Sequence, residues 1–234
     1  MLASQPPFCF VTTTTVSSSK RKSSGQGSTQ RRSSSSQLRV DTAAAIAVAA
    51  LTTVRENPNA FLAVMPSDHV VRDEARFVES VQRAAKVAAT GKLVLFGIKP
   101  TEPHTGYRYI RRGVELAGLD NSAFVIDAFF EKPDAATARR YFAEGGYYWN
   151  SGIFVFHARA FLDELAALEP RILMAARGAL ARAEEDLGFL RLDAKFFSTS
   201  PSISVDYAVM EKTDAAAMLP IDVGWNDVGS WASL

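Results

Sequence analysis

Short apolar runs alternate along most of this chain with segments in which apolar residues recur at helical spacing. Continuous apolar runs predict strands buried on both faces of a sheet, and the helical spacing predicts amphipathic helices. Strands are predicted at 61–65, 93–98, 107–112, 124–130, 153–156 and 218–223. Helices are predicted at 41–56, 74–89, 134–143, 160–168, 171–186 and 205–212. This alternation predicts an α/β fold with a mostly parallel sheet covered by helices on both faces.

Residues 1–40 follow a different pattern. Ser and Thr make up most of residues 12–36, and Lys and Arg occur without any acidic residue before Asp41. Such a segment cannot bury enough apolar surface to offset its ordering entropy, so we predict a disordered leader over 1–40 and a folded, partial domain over 41–234. The composition is also typical of an organelle transit peptide, and the alternative is a low-complexity tail or a mispredicted start. We expect a cytoplasmic protein, with plastid or mitochondrion as the alternative if the leader is a transit peptide.

Charge and cysteine content narrow the class of protein. The 234 residues carry a net charge of +1, which gives no reason to expect a nucleic acid or an anionic membrane as partner. Cys9 is the one cysteine, so no intrachain disulfide can form and a reducing compartment is expected. No apolar run approaches the roughly 20 residues of a membrane-spanning helix.

Polar residues that could carry chemistry follow several predicted strands. Asp68, Lys132 and Asp227 each come shortly after an apolar run. Ligands of open α/β sheets bind beyond the carboxyl ends of the strands, so these side chains are expected to lie near one another. Two carboxylates suit Mg²⁺, which takes one or two protein carboxylates together with substrate phosphates, and a lysine suits a phosphate. The pattern therefore predicts a site for a metal and a phosphorylated substrate.

Each of these residues also has an ordinary structural interpretation. Asp68 could cap the helix that follows it, and Asp227 could hold an Asx turn. Lys132 could be a solvated surface charge, and Asn150 could satisfy a loop backbone. The residues taken singly leave both interpretations open.

The motifs taken together are far more specific. In chain order they read MPSDHV, FGIKPTEPHTGYRYI, FFEKPD, YYWNSGIFVF, SVDYAVMEKT and DVGWNDVGSW. This series resembles the bacterial-type mannose-1-phosphate guanylyltransferases, sugar nucleotidyltransferases that are often fused to a mannose-6-phosphate isomerase domain. The resemblance covers about residues 41 to 234.

The resemblance implies a fold, a reaction and a cofactor. The fold would be a Rossmann-like α/β/α sandwich of the nucleotide-diphospho-sugar transferase type. The reaction would convert GTP and mannose 1-phosphate into GDP-mannose and pyrophosphate with Mg²⁺, and an oligomer is possible.

The same resemblance implies roles for individual residues. Asp68 and Asp227 match the metal-binding aspartates, and Lys132 matches the lysine that meets the sugar phosphate. The remaining matches are expected to contact the sugar (Gly106, Tyr107, Glu131, Asn150 and Asp206) or the nucleotide (Thr42, Ala43 and Pro66).

The chain also departs from the family pattern. The family's opening strand and Gly-rich loop, of the form GGxGxRLWPLSR, have no counterpart, because the only glycines before residue 91 are Gly25 and Gly27. We therefore expect a sheet that is incomplete at the N-terminus, in a chain truncated at both ends. Within the motifs, His104 replaces a usual Glu, Arg108 a usual Gly and Asn226 a usual Ser. The alternative function is a catalytically inactive fragment or a sugar-nucleotide-binding relative.

Overall fold

The computed structural model describes residues 8–13, 42–118, 123–186 and 189–228. The strands in these ranges are β1 (Phe8–Thr13), β2 (Phe61–Pro66), β3 (Leu93–Ile98), β4 (Tyr109–Glu115), β5 (Phe124–Phe130), β6 (Tyr147–His157), β7 (Glu184–Asp186), β8 (Phe189–Arg191) and β9 (Ala216–Ile221). The helices are α1 (Thr42–Glu56), α2 (Glu74–Ala88), α3 (Ala135–Glu144), α4 (Ala158–Leu168), α5 (Pro170–Ala181), α6 (Ala194–Phe197) and a π-helical turn, Asp206–Met210.

The sheet is mixed in direction, so the prediction of a mostly parallel sheet is confirmed only in part. Seven of the described strands follow the order β1-β2-β6-β3-β9-β5-β4, and β4 also pairs with β6. Among the described strands of this sheet, β1 with β2 and β3 with β9 are parallel, and the other pairs are antiparallel. An apolar run shows that a strand is buried but not which way it runs, so the direction of β6 between β2 and β3 could not be read from the pattern.

Helices cover both faces of the sheet, as predicted. On one face, Ile46 of α1 and Phe161 of α4 pack against Leu62 and Phe156 of the sheet. On the other face, Val81 of α2 and Tyr141 of α3 pack with Phe96 and other sheet residues. Two apolar cores therefore hold three layers together, which confirms an α/β fold. No helix in the described ranges combines the length and the apolar character needed to cross a membrane.

Strand β1 corrects the prediction that all of residues 1–40 are disordered. Phe8–Thr13 pairs with β2 in parallel, from Phe8 opposite Phe61 to Thr13 opposite Pro66. Cys9 and Val11 pack against one core and Phe8 against the other. Because side chains of a strand alternate between both faces, this short segment suits a sheet despite the Ser-rich composition that follows it. Residues 1–7 and 14–41 of the predicted leader lie outside the described residues.

Three other predicted elements are corrected. The strand predicted at 153–156 is the second half of β6, which begins at Tyr147 and contains the WNSG motif. The helix predicted at 171–186 ends at Ala181. Among residues 182–186 only Ala183 is apolar, so a longer helix would bury little additional apolar surface. The helix predicted at 205–212 is the π-helical turn.

Candidate functional site

The site forms where β2 and β4 meet β6 along the same edge. Residues 61–64 of β2 pair with 154–157 of β6, and residues 109–111 of β4 pair with 147–149. Residues 150–153 of β6 therefore lie at the gap between the end of β2 and the beginning of β4. Gly152 has a positive φ of 67°, a left-handed conformation that favours glycine, and its N–H donates to Asn150 Oδ1 at 2.8 Å. The glycine of WNSG thus turns the strand locally and holds the Asn150 amide at the gap.

A cleft of about 800 Å³ opens over this gap. Its volume falls within the range of ligand sites, which is about 300–1,000 Å³. The structure brings nine of the predicted residues together in its lining: Thr42, Pro66, Asp68, Gly106, Tyr107, Lys132, Asn150, Asp206 and Asp227. Two predicted residues do not line it. Glu131 contacts the lining residues Arg108 and Tyr207 from the rim, and Ala43 is fully buried in the core.

One end of the cleft carries Asp68 and Asp227. Asp68 follows β2, and the segment after β9 returns to it because Val70 and Asn226 exchange two backbone hydrogen bonds of 2.8 and 3.0 Å. His69 lies between these segments and accepts a hydrogen bond from Trp225 Nε1 at 3.2 Å. Burial lowers the pKa of His69, while the negative charges of both Asp68 and Asp227 oppose this shift. One imidazole therefore feels both carboxylates, which places them at the same end of the cleft.

Tyr107 connects this end to an aromatic cluster. Its hydroxyl donates to Asp227 Oδ1 at 3.1 Å, and its ring stacks on His104 with 4.0 Å between centroids. Trp149 and Trp225 pack on the same ring at 4.8 and 5.5 Å. Burial, together with the charge and hydrogen bond of Asp227, raises the pKa of Tyr107 to about 12. The neutral hydroxyl is thus available as a donor that fixes the orientation of the Asp227 carboxylate.

The turn that carries Asp227 is held in a strained conformation. Val228 has a φ of 49°, which is unusual for a β-branched residue. Its N–H donates to Asn226 Oδ1 at 2.6 Å, so Asn226 supplies an Asx-type hydrogen bond in this turn. Strained backbone of this kind is often found at functional sites.

The structure also tests the ordinary interpretation of Asp68. The helix that follows is capped by Asp73, whose carboxylate accepts from the N–H of Arg76 at 3.0 Å. Asp68 lines the cleft instead and is not the cap of α2.

The other end of the cleft is a network of charged and polar side chains. Asn150 Nδ2 donates to Asp206 Oδ1 at 2.9 Å, and Arg108 contacts both Asp206 and Glu131. Burial raises the pKa of Asp206, although the hydrogen bond from Asn150 and the charge of Arg108 act in the opposite direction. The hydroxyl of Tyr207 is the main reason that the pKa of Glu131 lies below its usual range, and Arg108 adds to this. These side chains offer carboxylate and amide groups to a ligand rich in hydroxyls.

Sequence reasoning assigned no role to several residues of the cleft lining, among them Trp225 and Tyr207. Both stand next to or within motifs already singled out: Trp225 in GWND and Tyr207 directly after Asp206. An aromatic residue beside a candidate carboxylate was the signal that could have found them.

The donor set fits a hard divalent cation that also binds the ligand. Asp68 and Asp227 supply two carboxylates, and the described residues contain no group of three or more His, Cys, Asp or Glu that could hold an ion by themselves. Mg²⁺ needs no more than one or two protein carboxylates when substrate phosphates complete its shell. Lys132 lines the same cleft and can pair with a phosphate.

Comparison with known proteins finds relatives that are similar in sequence. The Xanthan biosynthesis protein XanB of Xanthomonas campestris pv. campestris (strain ATCC 33913) is 53% identical over 194 residues, which are 83% of this chain and 40% of that protein. A mannose-1-phosphate guanylyltransferase of Escherichia coli (strain K12) is 49% identical over 197 residues, 83% of this chain and 41% of that protein. The chain thus spans about two fifths of the length of these relatives.

A solved structure shares the fold. The Thermus thermophilus protein described as mannose-1-phosphate geranyltransferase superposes with a TM-score of 0.72 at 31% identity, over 85% of this chain and 55% of that one. The resemblance predicted from the motifs is therefore confirmed. The family model described as Nucleotidyl transferase matches residues 9–234, so the match starts at β1 rather than near residue 41. The chain belongs to the nucleotidyl transferase family.

Proposed function

We propose that this chain is a mannose-1-phosphate guanylyltransferase, which joins GTP and mannose 1-phosphate into GDP-mannose and pyrophosphate. The observation that carries the proposal is one cleft lined by Asp68, Asp227, Lys132 and Asn150, with Glu131 at its rim. A sugar phosphate and a triphosphate would need two carboxylates, a positively charged side chain and groups that bind hydroxyls.

The similar proteins support the choice of nucleotide and sugar. Several relatives at 46–50% identity are described as mannose-1-phosphate guanylyltransferases. These similarities favour the enzyme over the alternative of a binding relative without activity.

In the proposed reaction, a phosphate oxygen of mannose 1-phosphate attacks the α-phosphorus of GTP. The bond from that phosphorus to the oxygen bridging the β-phosphate breaks, and pyrophosphate leaves. Lys132 would neutralise the sugar phosphate, while Glu131 and Asn150 would orient the sugar through its hydroxyl groups. Thr42 and Pro66, which also line the cleft, would face the nucleotide.

Asp68 and Asp227 would hold Mg²⁺ against the triphosphate, and neutralisation of phosphate charge is the chemistry that the ion supplies when bound. Tyr107 would keep the Asp227 carboxylate in place through the hydrogen bond that its hydroxyl donates.

The first test is formation of GDP-mannose by the purified full chain from GTP and mannose 1-phosphate with Mg²⁺. Asp227→Asn should lower kcat/KM by about 100-fold or more, because a lost metal ligand removes charge stabilisation worth several kcal/mol.

Asp222→Asn is the matched control. Asp222 lies five residues earlier in the same segment, is exposed and does not line the cleft, so its rate should stay within about twofold of the wild type. A folded wild type without turnover, or an Asp227→Asn variant as active as the control, would contradict the proposed function. The sequence contains no Gly-rich loop of the form that the family has. Turnover is therefore a more direct test of the proposed function than nucleotide binding.

A further inference from the structure

Arg108 spans the cleft between three segments of the chain. It lies just before β4, and its Nη2 contacts Glu131 Oε2 at 2.7 Å, directly after β5. Its Nη1 lies 3.5 Å from Asp206 Oδ2, at the start of the π-helical turn. The guanidinium also stacks over the ring of Tyr207, at 4.5 Å from the centroid.

These four side chains form what we call the Arg108 bridge: Arg108, Glu131, Asp206 and Tyr207. The bridge is closed on itself, because the Tyr207 hydroxyl donates to the same Glu131 oxygen at 2.6 Å. The Arg108 side chain is 25% exposed and that of Asp206 is 15% exposed, so their contact is shielded from water more than a surface ion pair is. Planar guanidinium groups suit such a position, since they combine stacking with hydrogen bonds to carboxylates.

The bridge uses the acceptors that a sugar would need. Glu131 Oε2 receives donors from both Arg108 and Tyr207, Asp206 Oδ1 receives the Asn150 amide, and Asp206 Oδ2 faces Arg108. A sugar hydroxyl binds a carboxylate as an O–H donor, as the guanidinium does through its N–H groups. A sugar hydroxyl that reaches Glu131 Oε2 or Asp206 Oδ2 would therefore compete with the guanidinium.

We propose that Arg108 acts as an intramolecular competitor of the hexose. The guanidinium occupies Glu131 and Asp206 in the free protein and has to leave them when the hydroxyls of the hexose 1-phosphate bind. This inference rests on the proposed function. It predicts that Arg108 weakens the apparent affinity for the sugar phosphate and leaves the nucleotide affinity unchanged, because only the open fraction can bind the sugar.

The test is steady-state kinetics of GDP-mannose formation by Arg108→Met, which keeps an apolar stem but removes the charge and the donors. The KM for mannose 1-phosphate should fall about 3- to 10-fold, while the KM for GTP stays within about twofold. An unchanged or raised KM for the sugar phosphate would overturn the proposal. A raised KM in particular would mean that Arg108 binds the phosphate.

Arg111→Met is the matched control, because Arg111 lies three residues further along the chain and pairs with Asp127 on the neighbouring strand, outside the cleft lining. Its KM values should match the wild type.

Removal of Arg108 leaves Glu131, Asp206 and the nearby Glu211 with one fewer positive charge, so folding of Arg108→Met has to be checked by circular dichroism. Arg108→Lys keeps the charge but loses the planar fork that reaches two carboxylates. If Arg108→Met does not fold, Arg108→Lys decides: a lowered KM for the sugar phosphate supports the proposal, and an unchanged or raised one overturns it.

Failure of the proposed function would be seen separately, as absence of turnover in the wild type and in Arg111→Met. The bridge is then tested by calorimetric titration of the full chain with mannose 1-phosphate alone. Tighter binding by Arg108→Met than by wild type supports the competitor role. The proposal is overturned if Arg108→Met binds mannose 1-phosphate equally to or more weakly than the wild type, or if neither protein binds it detectably.

Discussion

At the residue scale, the site depends on side chains whose partners come from distant parts of the chain. Tyr107 and Asp227 are 120 positions apart in sequence and share a hydrogen bond. Asn150 and Asp206 are 56 positions apart and share another. Mutation of a group that orients a metal-binding side chain typically lowers metal affinity or activity about 10- to 100-fold. Tyr107 is therefore the residue whose contribution is most open to measurement.

Tyr107→Phe should raise the Mg²⁺ concentration for half-maximal activity by about 10-fold, because Asp227 loses the donor that orients it. The ring contacts with His104 and Trp149 stay, so the melting temperature should change little. Activity titrated against Mg²⁺ measures the effect.

Tyr147→Phe removes a hydroxyl outside the cleft lining and serves as control. Equal Mg²⁺ dependence in both variants would mean that Tyr107 does not position Asp227.

At the element scale, strand β6 and the π-helical turn supply residues to the cleft and connect it to the neighbouring helices. β6 passes the gap at Asn150 and ends at His157, which caps α4 by accepting the N–H of Arg159 on Nδ1 at 3.2 Å. The π-helical turn begins where the N–H of Val205 donates to Thr42 Oγ1 at 3.0 Å. π-helical turns occur frequently at functional sites, and here one directs Asp206 and Tyr207 to the cleft.

The cap at His157 predicts a pH dependence of stability. Burial and the charge of Arg159 lower the pKa of His157 below its usual 6.5, and Asp163 opposes the shift. The unfolded chain then binds the proton more readily than the folded chain, so this contribution is complete above about pH 6.5 and is lost as the pH falls further. Protonation also removes the acceptor at Nδ1.

His157→Asn keeps a capping acceptor and removes the titration. Between about pH 7.5 and pH 5.5 its free energy of unfolding should fall less steeply than that of the wild type. Urea denaturation at both pH values measures this. If the free energy of unfolding changes with pH by the same amount in the variant and the wild type, the role of His157 is contradicted.

At the scale of the whole molecule, two apolar cores lie on opposite faces of one sheet, and β1 extends that sheet at the edge of β2. Phe8 packs on Phe61 with 5.9 Å between the ring centroids, so the strand adds to the core as well as to the ladder. Without β1, the apolar strand β2 would present an open edge.

Deletion of residues 1–13 should therefore lower the melting temperature by several degrees and promote self-association, because backbone groups of β2 lose their partners. Thermal unfolding and size-exclusion chromatography measure the two effects. Deletion of residues 1–7 keeps β1 and is the matched control. If both deletions behave alike, β1 does not contribute to stability.

Much of the fold and of the site could be predicted from local pattern. The runs at 61–65, 93–98 and 124–130 are apolar enough to be buried strands, and they were predicted within a residue of their observed bounds. Asp68 and Asp227 follow β2 and β9, which run in the same direction, so the rule for parallel strands placed them correctly in one cleft.

The tertiary structure alone decided how the other residues reach that cleft. β5 runs antiparallel to β9, so the same rule gives no reason for Lys132 to lie in the same cleft as Asp227. Lys132 arrives because Phe130 pairs with Tyr109, which pairs in turn with Trp149 next to Asn150. Strand direction and register depend on contacts far apart in sequence, and an apolar run carries no record of them.

The sequence by itself therefore determined the layers, most elements, the family resemblance and the identity of the candidate site residues. Only the tertiary structure decided that Arg108 pairs with Glu131 and Asp206, since these residues belong to three segments. Only it placed β1 in the sheet, because the Ser-rich residues that follow concealed a short strand whose Phe8, Cys9 and Val11 reach two cores. Local propensity determines an element, whereas its neighbours in space determine what that element does.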